Sequence, residues 1–491
     1  MIKKIILFSL IITLFLSCSK TLVKVEKIKE APTIRFKDID NSELPVEFNV
    51  LGDPRSGMWS VQFYDLDNNI SLFEYNKNKN LLPASNLKIV TTAAALKVLG
   101  PFYKFKTDFF YTGSINKKLN VLNGDIIVYG SGDPTIGQDY FRDSTLTEFQ
   151  VIADSLKKNL GIDYIRGNIK VYNPVKHDNM YGKGWDVDDL PHYYSAIISP
   201  IAFNENLIKI IIKDGKINAI PDYPFKFKLD TIPDMERSNF TRVLGTDSVI
   251  VRSNFEKRVQ GYITVQDPEK NFINALERYL KKNDISVMHE EIQDSTISIA
   301  PLCTIYSDSL LYIAHKCTVE SNNFYAEQLF RETAKIFSAD ALVSDSLRNI
   351  DLTYDNILKL NSELYSRLFG INNFEIMDGS GLSRRNFFSA GKFVKVLKLM
   401  KKDRNFITYL SSFPNPGKNG TLEFKFVHPD LNNVLFAKSG SMSGVNDFTG
   451  YLITKKGTRI AFSILNNYYN FSRGIVNRKL ENMLVYVVNN Y

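Results

Sequence analysis

Pro83-Ala84-Ser85-Asn86-Leu87-Lys88 leads into the apolar run Ile89 to Leu99, which closes at Gly100-Pro101. Proline before the start and glycine-proline after the end bound a helix of about four turns. Ile89, Val90, Ala93, Ala94, Ala95, Leu96, Val98 and Leu99 cover nearly the whole circumference, and a helix that is apolar all round is buried. Ser85 and Lys88 are three apart and share a face, with Ser85 in the first turn, where unpaired backbone N–H groups favour negative charge. Burial disfavours the charged form of a lysine and so turns it towards general-base work near neutral pH. A serine with such a lysine has the parts of an activated nucleophile. The S-x-x-K pattern alone is weak, because it also begins at Ser17, Ser114, Ser155 and Ser389; only the Ser85 copy opens a buried, well-bounded helix.

Two further stretches strengthen it. Ser321-Asn322-Asn323 precedes the helix-like Phe324 to Phe330 and offers a hydroxyl and an amide two positions apart, although a serine there also reads as a helix cap. Lys438-Ser439-Gly440-Ser441 follows the strand-like Val434 to Ala437 and is the one K-[ST]-G of the chain. A lysine, two hydroxyls and a glycine that admits close approach suit a carboxylate-bearing substrate.

The chain of 491 residues is 44% hydrophobic and 23% charged, a globular composition with room for several cores. Its 61 basic against 53 acidic residues leave +8, too dilute for the dense basic stripe of a nucleic-acid binder. There is no G-x-G-x-x-G, P-loop, C-x-x-C, H-E-x-x-H or G-x-S-x-G, and the five histidines lack metal-ligand spacing. No cofactor and no metal are therefore expected.

Lys3 and Lys4 precede an apolar run from Ile5 to Leu16 that ends at Ser17-Cys18, the layout of an export signal too short to span a membrane with confidence. Cys18 after Phe15-Leu16-Ser17 resembles the bacterial lipobox, with Phe15 where leucine is commoner, so residues 1–17 are expected to be removed and Cys18 lipidated. Residues 18–47 read as a polar tether. Removing the first 17 residues and their two lysines leaves 474 residues and +6. Cys303 and Cys317 either pair or remain buried thiols.

S-x-x-K, S-x-N and K-[ST]-G in this order resemble the signature of penicillin-recognising serine enzymes. The gap of 236 positions between Ser85 and Ser321, against 117 from Ser321 to Lys438, is far larger than in a compact β-lactamase. It resembles the class C low-molecular-mass penicillin-binding proteins, the D-alanyl-D-alanine carboxypeptidase/endopeptidase family of the penicillin-binding protein 4 type. Gly130-Ser131-Gly132-Asp133-Pro134, Gly184-Trp185 with Asp188-Asp189-Leu190, Asp378-Gly379-Ser380-Gly381-Leu382-Ser383-Arg384 and Gly420-Thr421-Leu422 agree with that family.

The resemblance implies acyl transfer on peptidoglycan stem peptides. Lys88 takes the proton of Ser85, Ser321 and Asn323 relay it to the leaving amine, and Lys438 supplies positive potential. Ser439, Gly440 and Ser441 form the wall that holds the terminal carboxylate and, through the Ser85 and Ser441 N–H groups, the oxyanion. It also implies inhibition by β-lactams, a place in the cell envelope or periplasm, and contacts from Arg384 and Asp178 to the far end of the stem. A β-lactamase or esterase of the same fold, told apart by fast deacylation, and a non-catalytic peptidoglycan-binding lipoprotein stand as alternatives.

The fold expected from the residues is α+β. Trp59 to Asp65 and Ile70 to Tyr75 flank a hairpin signal at Asp67-Asn68-Asn69; Val434 to Lys438, Phe448 to Thr454 and Arg459 to Leu465 are strand-like, and a last helix runs from Ser472 to Val488. The two chain ends then share one antiparallel sheet flanked by helices, a penicillin-binding-protein/β-lactamase-like catalytic domain of residues 48–111 and 301–491. Residues 112–300 read as a β-rich insertion with one helical stretch, Leu146 to Leu160, and a nested subdomain near 205–265.

Overall fold

The computed structural model describes residues 34–35, 45–138, 146–172, 180–291, 298–341 and 343–491. Cys18 and Asp178 lie outside the described residues. The chain forms two compact units: the first takes in the described part of Met1–Pro101 with Ala314–Asn322 and Asn361–Tyr491, the second Phe102–Ile313 with Asn323–Leu360.

Six strands make the sheet of the first unit: β1 (Ile34–Arg35), β2 (Met58–Asp65), β3 (Ile70–Tyr75), β4 (Leu435–Met442), β5 (Val445–Ile453) and β6 (Arg459–Asn467). Their order is β1-β3-β2-β6-β5-β4, antiparallel throughout except at β1, which adds to β3 in parallel. The β2–β6 pairing, Met58 opposite Asn467 through Asp65 opposite Ile460, is what joins the two ends of the chain.

All nine residues of β5 are buried, so this strand is covered on both faces. On one face Phe63, Phe448, Phe462 and Leu435 pack with Leu480, Met483, Leu484 and Val487 of the Arg473–Asn490 helix. Each such side chain contributes about 1.5–3 kcal/mol on burial, so this layer carries much of the unit's stability. Along the alternate positions of the strands, Ser60, Gln62, Thr449 and Ser463 are buried polar groups with partners: Thr449 and Ser463 bond each other at 2.8 Å, Ser60 donates to the Asn76 carbonyl, and Gln62 donates to the Ser71 and Glu74 side chains. Strand periodicity puts Lys438 and Gly440 on that second, polar face.

The second unit holds two four-stranded and two three-stranded sheets. Both three-stranded sheets lie within Leu207–Thr264 and enclose a core that includes Ile208, Ile210, Phe240, Val249 and Val251. One sequence expectation is corrected here: besides the helix at Thr147–Asp154, the region between 112 and 300 contains Pro268–Lys282, whose Asp267 side chain caps the Lys270 N–H. Phe272, Ala275, Leu276 and Leu280 of that helix are buried in the unit's main core, while its other face is charged. The mixed composition hid an amphipathic period that the Asp-Pro start announces. The long strand-like runs Val121–Tyr129 and Ile165–Tyr172 each split in two, at Gly124 and Gly167.

Candidate active site

Ser85 stands on a single 3-10 turn, Ala84–Asn86, that feeds directly into the helix Leu87–Val98. That helix is buried from Leu87 to Leu96, as its all-round apolar surface requires. The turn is clamped from three sides. Leu82 exchanges N–H and carbonyl bonds with the Asn467 amide (2.8 and 3.2 Å), Asn86 Nδ2 donates to Thr449 Oγ1 (3.1 Å), and Leu81 pairs with Phe388 through backbone bonds. Ala84 is thereby held at φ +42°, a conformation that costs a non-glycine residue of order 1 kcal/mol and persists because its surroundings over-determine it.

The consequence is a half-exposed hydroxyl beside a fully buried ammonium. Lys88 Nζ lies 3.0 Å from Ser85 Oγ and donates to the Ser380 carbonyl at 2.7 Å. An unpaired buried ammonium would cost several kcal/mol, so these oxygens are what make Lys88 tolerable in the core.

The Ser380 carbonyl is presented by the loop Asp378 to Asn386. Buried Asp378 organises it, accepting from Gly381 N (2.8 Å), Ser383 N (2.7 Å), Asn386 Nδ2 (2.8 Å) and Ser380 Oγ (3.2 Å). Thr91 Oγ1, one turn beyond Lys88, donates to the Gly379 carbonyl at 2.7 Å, so loop and helix are fastened at two points.

Lys438 is buried, and its Nζ donates to the Ser439 carbonyl at 2.6 Å. Burial pushes its pKa well below the ordinary lysine range, and the Lys88 and Lys425 charges push it the same way. Ser439 Oγ, half-exposed, donates to Thr421 Oγ1 at 3.2 Å, and Ser441 is exposed. Gly440 faces the nucleophile turn: a Cβ there would meet the Pro83 carbonyl at 2.9 Å, Ala84 Cβ at 3.1 Å and Asn86 N at 3.1 Å. This approach brings β4 against the Ser85 turn.

Ser85, Lys88, Ser321, Lys438, Ser439, Gly440, Ser441 and Arg384 all fall in the first unit. Ser321 has φ +59°, and Arg384 is half-buried, its guanidinium donating to the Ser443 carbonyl at 3.4 Å. Asn323 opens the helix Asn323–Ser338 of the second unit, where its Nδ2 donates to the Tyr194 carbonyl at 2.8 Å. The Tyr194 hydroxyl in turn donates to Asp189 Oδ1 (2.8 Å), so the Asp188-Asp189-Leu190 stretch supports the residue that holds Asn323.

Three participants carry roles that the sequence reading did not assign, although Thr421 and Ser380 lie in stretches it singled out. Thr421 partners Ser439, the Ser380 carbonyl receives Lys88, and Asp447 lies opposite Gly440 in the β4–β5 register. Burial pushes the Asp447 carboxyl well above the usual range, against the opposing pull of the Asn466 N–H that it accepts from. A lone aspartate inside an otherwise buried strand was the one available signal for it. Cys303 and Cys317 are both free thiols, and among the described residues no group of three or more potential ligands could hold a metal ion.

The profile of the D-Ala-D-Ala carboxypeptidase 3 (S13) family matches residues 48–488. The chain is 25% identical over 439 residues to penicillin-sensitive carboxypeptidase A of Dictyostelium discoideum, covering 81% of this chain and 80% of that protein. It is 23% identical over 431 residues to D-alanyl-D-alanine carboxypeptidase DacB of Haemophilus influenzae, covering 82% and 84% respectively. The crystal structure of penicillin binding protein 4 (dacB) from H. influenzae superposes with a TM-score of 0.76 at 21% identity, covering 91% of this chain and all of that one, which shows the shared fold. With a serine beside a buried lysine and a family match over nine-tenths of its length, the chain belongs to the D-Ala-D-Ala carboxypeptidase 3 (S13) family and is a serine-type D-Ala-D-Ala carboxypeptidase/endopeptidase.

Proposed function

We propose that this enzyme works through an ester on Ser85. The observation that carries the assignment is the 3.0 Å separation of a half-exposed Ser85 Oγ from a buried Lys88 Nζ. Neutral Lys88 takes the Ser85 proton as Oγ bonds to the carbonyl carbon of the penultimate D-alanine of a peptidoglycan stem. The N–H groups of Ser85 and Ser441 hold the oxyanion. The C–N bond then breaks, Ser321 and Asn323 pass the proton to the departing amine, and water hydrolyses the ester. The departing amine is free D-alanine in the carboxypeptidase reaction and a cross-linked neighbouring stem in the endopeptidase reaction.

Lys438 supplies positive potential, and the hydroxyls of Ser439 and Ser441 receive the terminal carboxylate. Arg384, on the Asp378 loop, reaches the distal part of the stem. The catalytic domain in this reading is residues 48–111 and 301–491, with 112–300 inserted. Penicillin sensitivity, part of the D. discoideum relative's name, follows if a β-lactam carbonyl occupies the same site.

The test is the pH dependence of penicillin acylation. Lys438 must carry its charge to supply positive potential, and burial first, then the Lys88 charge, push its pKa well below the ordinary lysine range. As pH rises through that depressed range Lys438 loses its proton and acylation fades. Stopped-flow acylation is expected to fall off well below pH 10.5, and a rate that holds up to an ordinary lysine pKa contradicts the charged role of Lys438.

The enzyme acts in the cell envelope. Among the described residues no helix is long and apolar enough to cross a membrane. A lipid on Cys18 would tether the chain there. Cys18→Ser is expected to move the exported protein from the detergent to the aqueous phase on partition while penicillin labelling persists; unchanged partition contradicts the lipid.

A further inference from the structure

A groove of about 630 Å³ in the first unit shares no lining residue with the Ser85, Lys88 and Lys438 cluster. It opens between strands β2 and β3, the stretch 77–80, the turn at 370–373 and the helix Ala390–Lys401. Its size falls within the range that encloses a ligand of several rings.

The charge in it is one-sided. Lys77, Lys392, Lys395 and Lys398 line the groove against a single carboxylate, Glu74. Glu74 pairs with Lys77 at 2.7 Å. The other three ammonium groups rest on neutral partners. Lys392 Nζ donates to Asn80 Oδ1 (2.7 Å) and Ser389 Oγ (3.3 Å), Lys395 Nζ donates to the Gly370 carbonyl, and Lys398 Nζ lies 3.5 Å from the centroid of the Tyr64 ring. These contacts fix the positions of three cations without cancelling their charge. Burial pushes the Lys392 pKa below its ordinary value, a cost that an incoming anion would offset. Asn78, Asn372 and Asn373 add side-chain amides to the wall, groups that can pair with the amides and hydroxyls of a ligand.

We propose that this groove binds peptidoglycan away from the bond being cut, its lysines taking stem carboxylates and its asparagines taking acetamido and peptide amides. The substrate class rests on the function given above. The amide-rich wall favours peptidoglycan over a phosphodiester polymer, which has few amide partners to offer. The groove then holds the enzyme on the insoluble polymer while the Ser85 site works along it.

The experiment is co-sedimentation of the exported chain with purified sacculi, with and without penicillin to block Ser85. Lys392→Glu/Lys395→Glu is expected to weaken sedimentation about tenfold, and wild-type binding to fall as salt is raised. Penicillin labelling and turnover of a soluble D-Ala-D-Ala peptide should stay within about twofold of wild type. Should the glutamate pair fail to fold, Lys395→Gln/Lys398→Gln supplies the same comparison. Wild-type sedimentation by the folded variants overturns the proposal, as does loss of wild-type binding once phosphodiester polymers are stripped with hydrofluoric acid. Failure of the functional reading shows differently, as sedimentation without penicillin labelling or D-alanine release.

Discussion

Ser85→Ala is expected to abolish both covalent labelling by fluorescent penicillin and D-alanine release, with turnover reduced about a thousand-fold or more. In the proposed mechanism the Ser85 hydroxyl, 3.0 Å from the Lys88 ammonium, forms the ester, and nothing in an alanine replaces it. Groups that act as a unit are not additive, so Lys88→Met should cost nearly as much as Ser85→Ala, and the double variant little more than either. The melting temperature separates chemistry from folding. Ser85 is half-exposed, so its loss should leave Tm within a few degrees. Lys88 is buried, so a methionine of similar length is the fair replacement. Persistent labelling of the folded alanine variant would refute Ser85 as nucleophile, and digestion of monomeric and cross-linked muropeptides with mass readout shows which products disappear.

Gly381→Ala should be nearly as damaging by a different route. Gly381 has φ +83°, and a Cβ there would lie 1.8 Å from the Ala84 carbonyl oxygen and 3.2 Å from Ser85 N. The first contact is backbone on backbone, so no side-chain rotation relieves it; either the Asp378 loop retreats or the nucleophile turn shifts. Retreat removes the Ser380 carbonyl from Lys88, and a shift misplaces Ser85 Oγ. A displacement of about 1 Å can cost 100-fold in rate, so penicillin acylation should slow by roughly that factor. Stability should fall by about 2–4 kcal/mol from strain and clash together. Gly457→Ala is the control, since Gly457 has a similar φ of +85° with nothing within 4 Å of the added carbon. It should cost about 1 kcal/mol and leave acylation unchanged. Equal acylation by the folded Gly381→Ala protein and wild type would show that the loop does not position the nucleophile.

Much of the first unit was legible because its strands and helices have local signatures. Asp67-Asn68-Asn69 is a turn with Asn69 at φ +57°, β2 and β3 flank it, and the strand-like stretches at the C-terminal end appear as β4, β5 and β6. Alternation failed where both sides of a strand are covered: β5 carries Asn446, Asp447 and Thr449 in the core, so its pattern reads as mixed although every residue is buried. The Pro268–Lys282 helix was lost for the opposite reason, its charged face diluting the apolar one.

The sequence by itself determined that a serine and a lysine share a face at the head of a buried helix, and that K-[ST]-G belongs to a strand, because spacing and periodicity are local properties of the chain. Only the tertiary structure decided that these pieces meet. The β2–β6 pairing spans some four hundred positions and carries β4 to the Ser85 turn, and Gly440 and Gly381 let two other segments close on it. It also decided the electrostatics. How far a lysine is desolvated, and which carbonyl receives it, depends on what packs around it from distant sequence, as the Ser380 carbonyl, 292 positions from Lys88, makes plain.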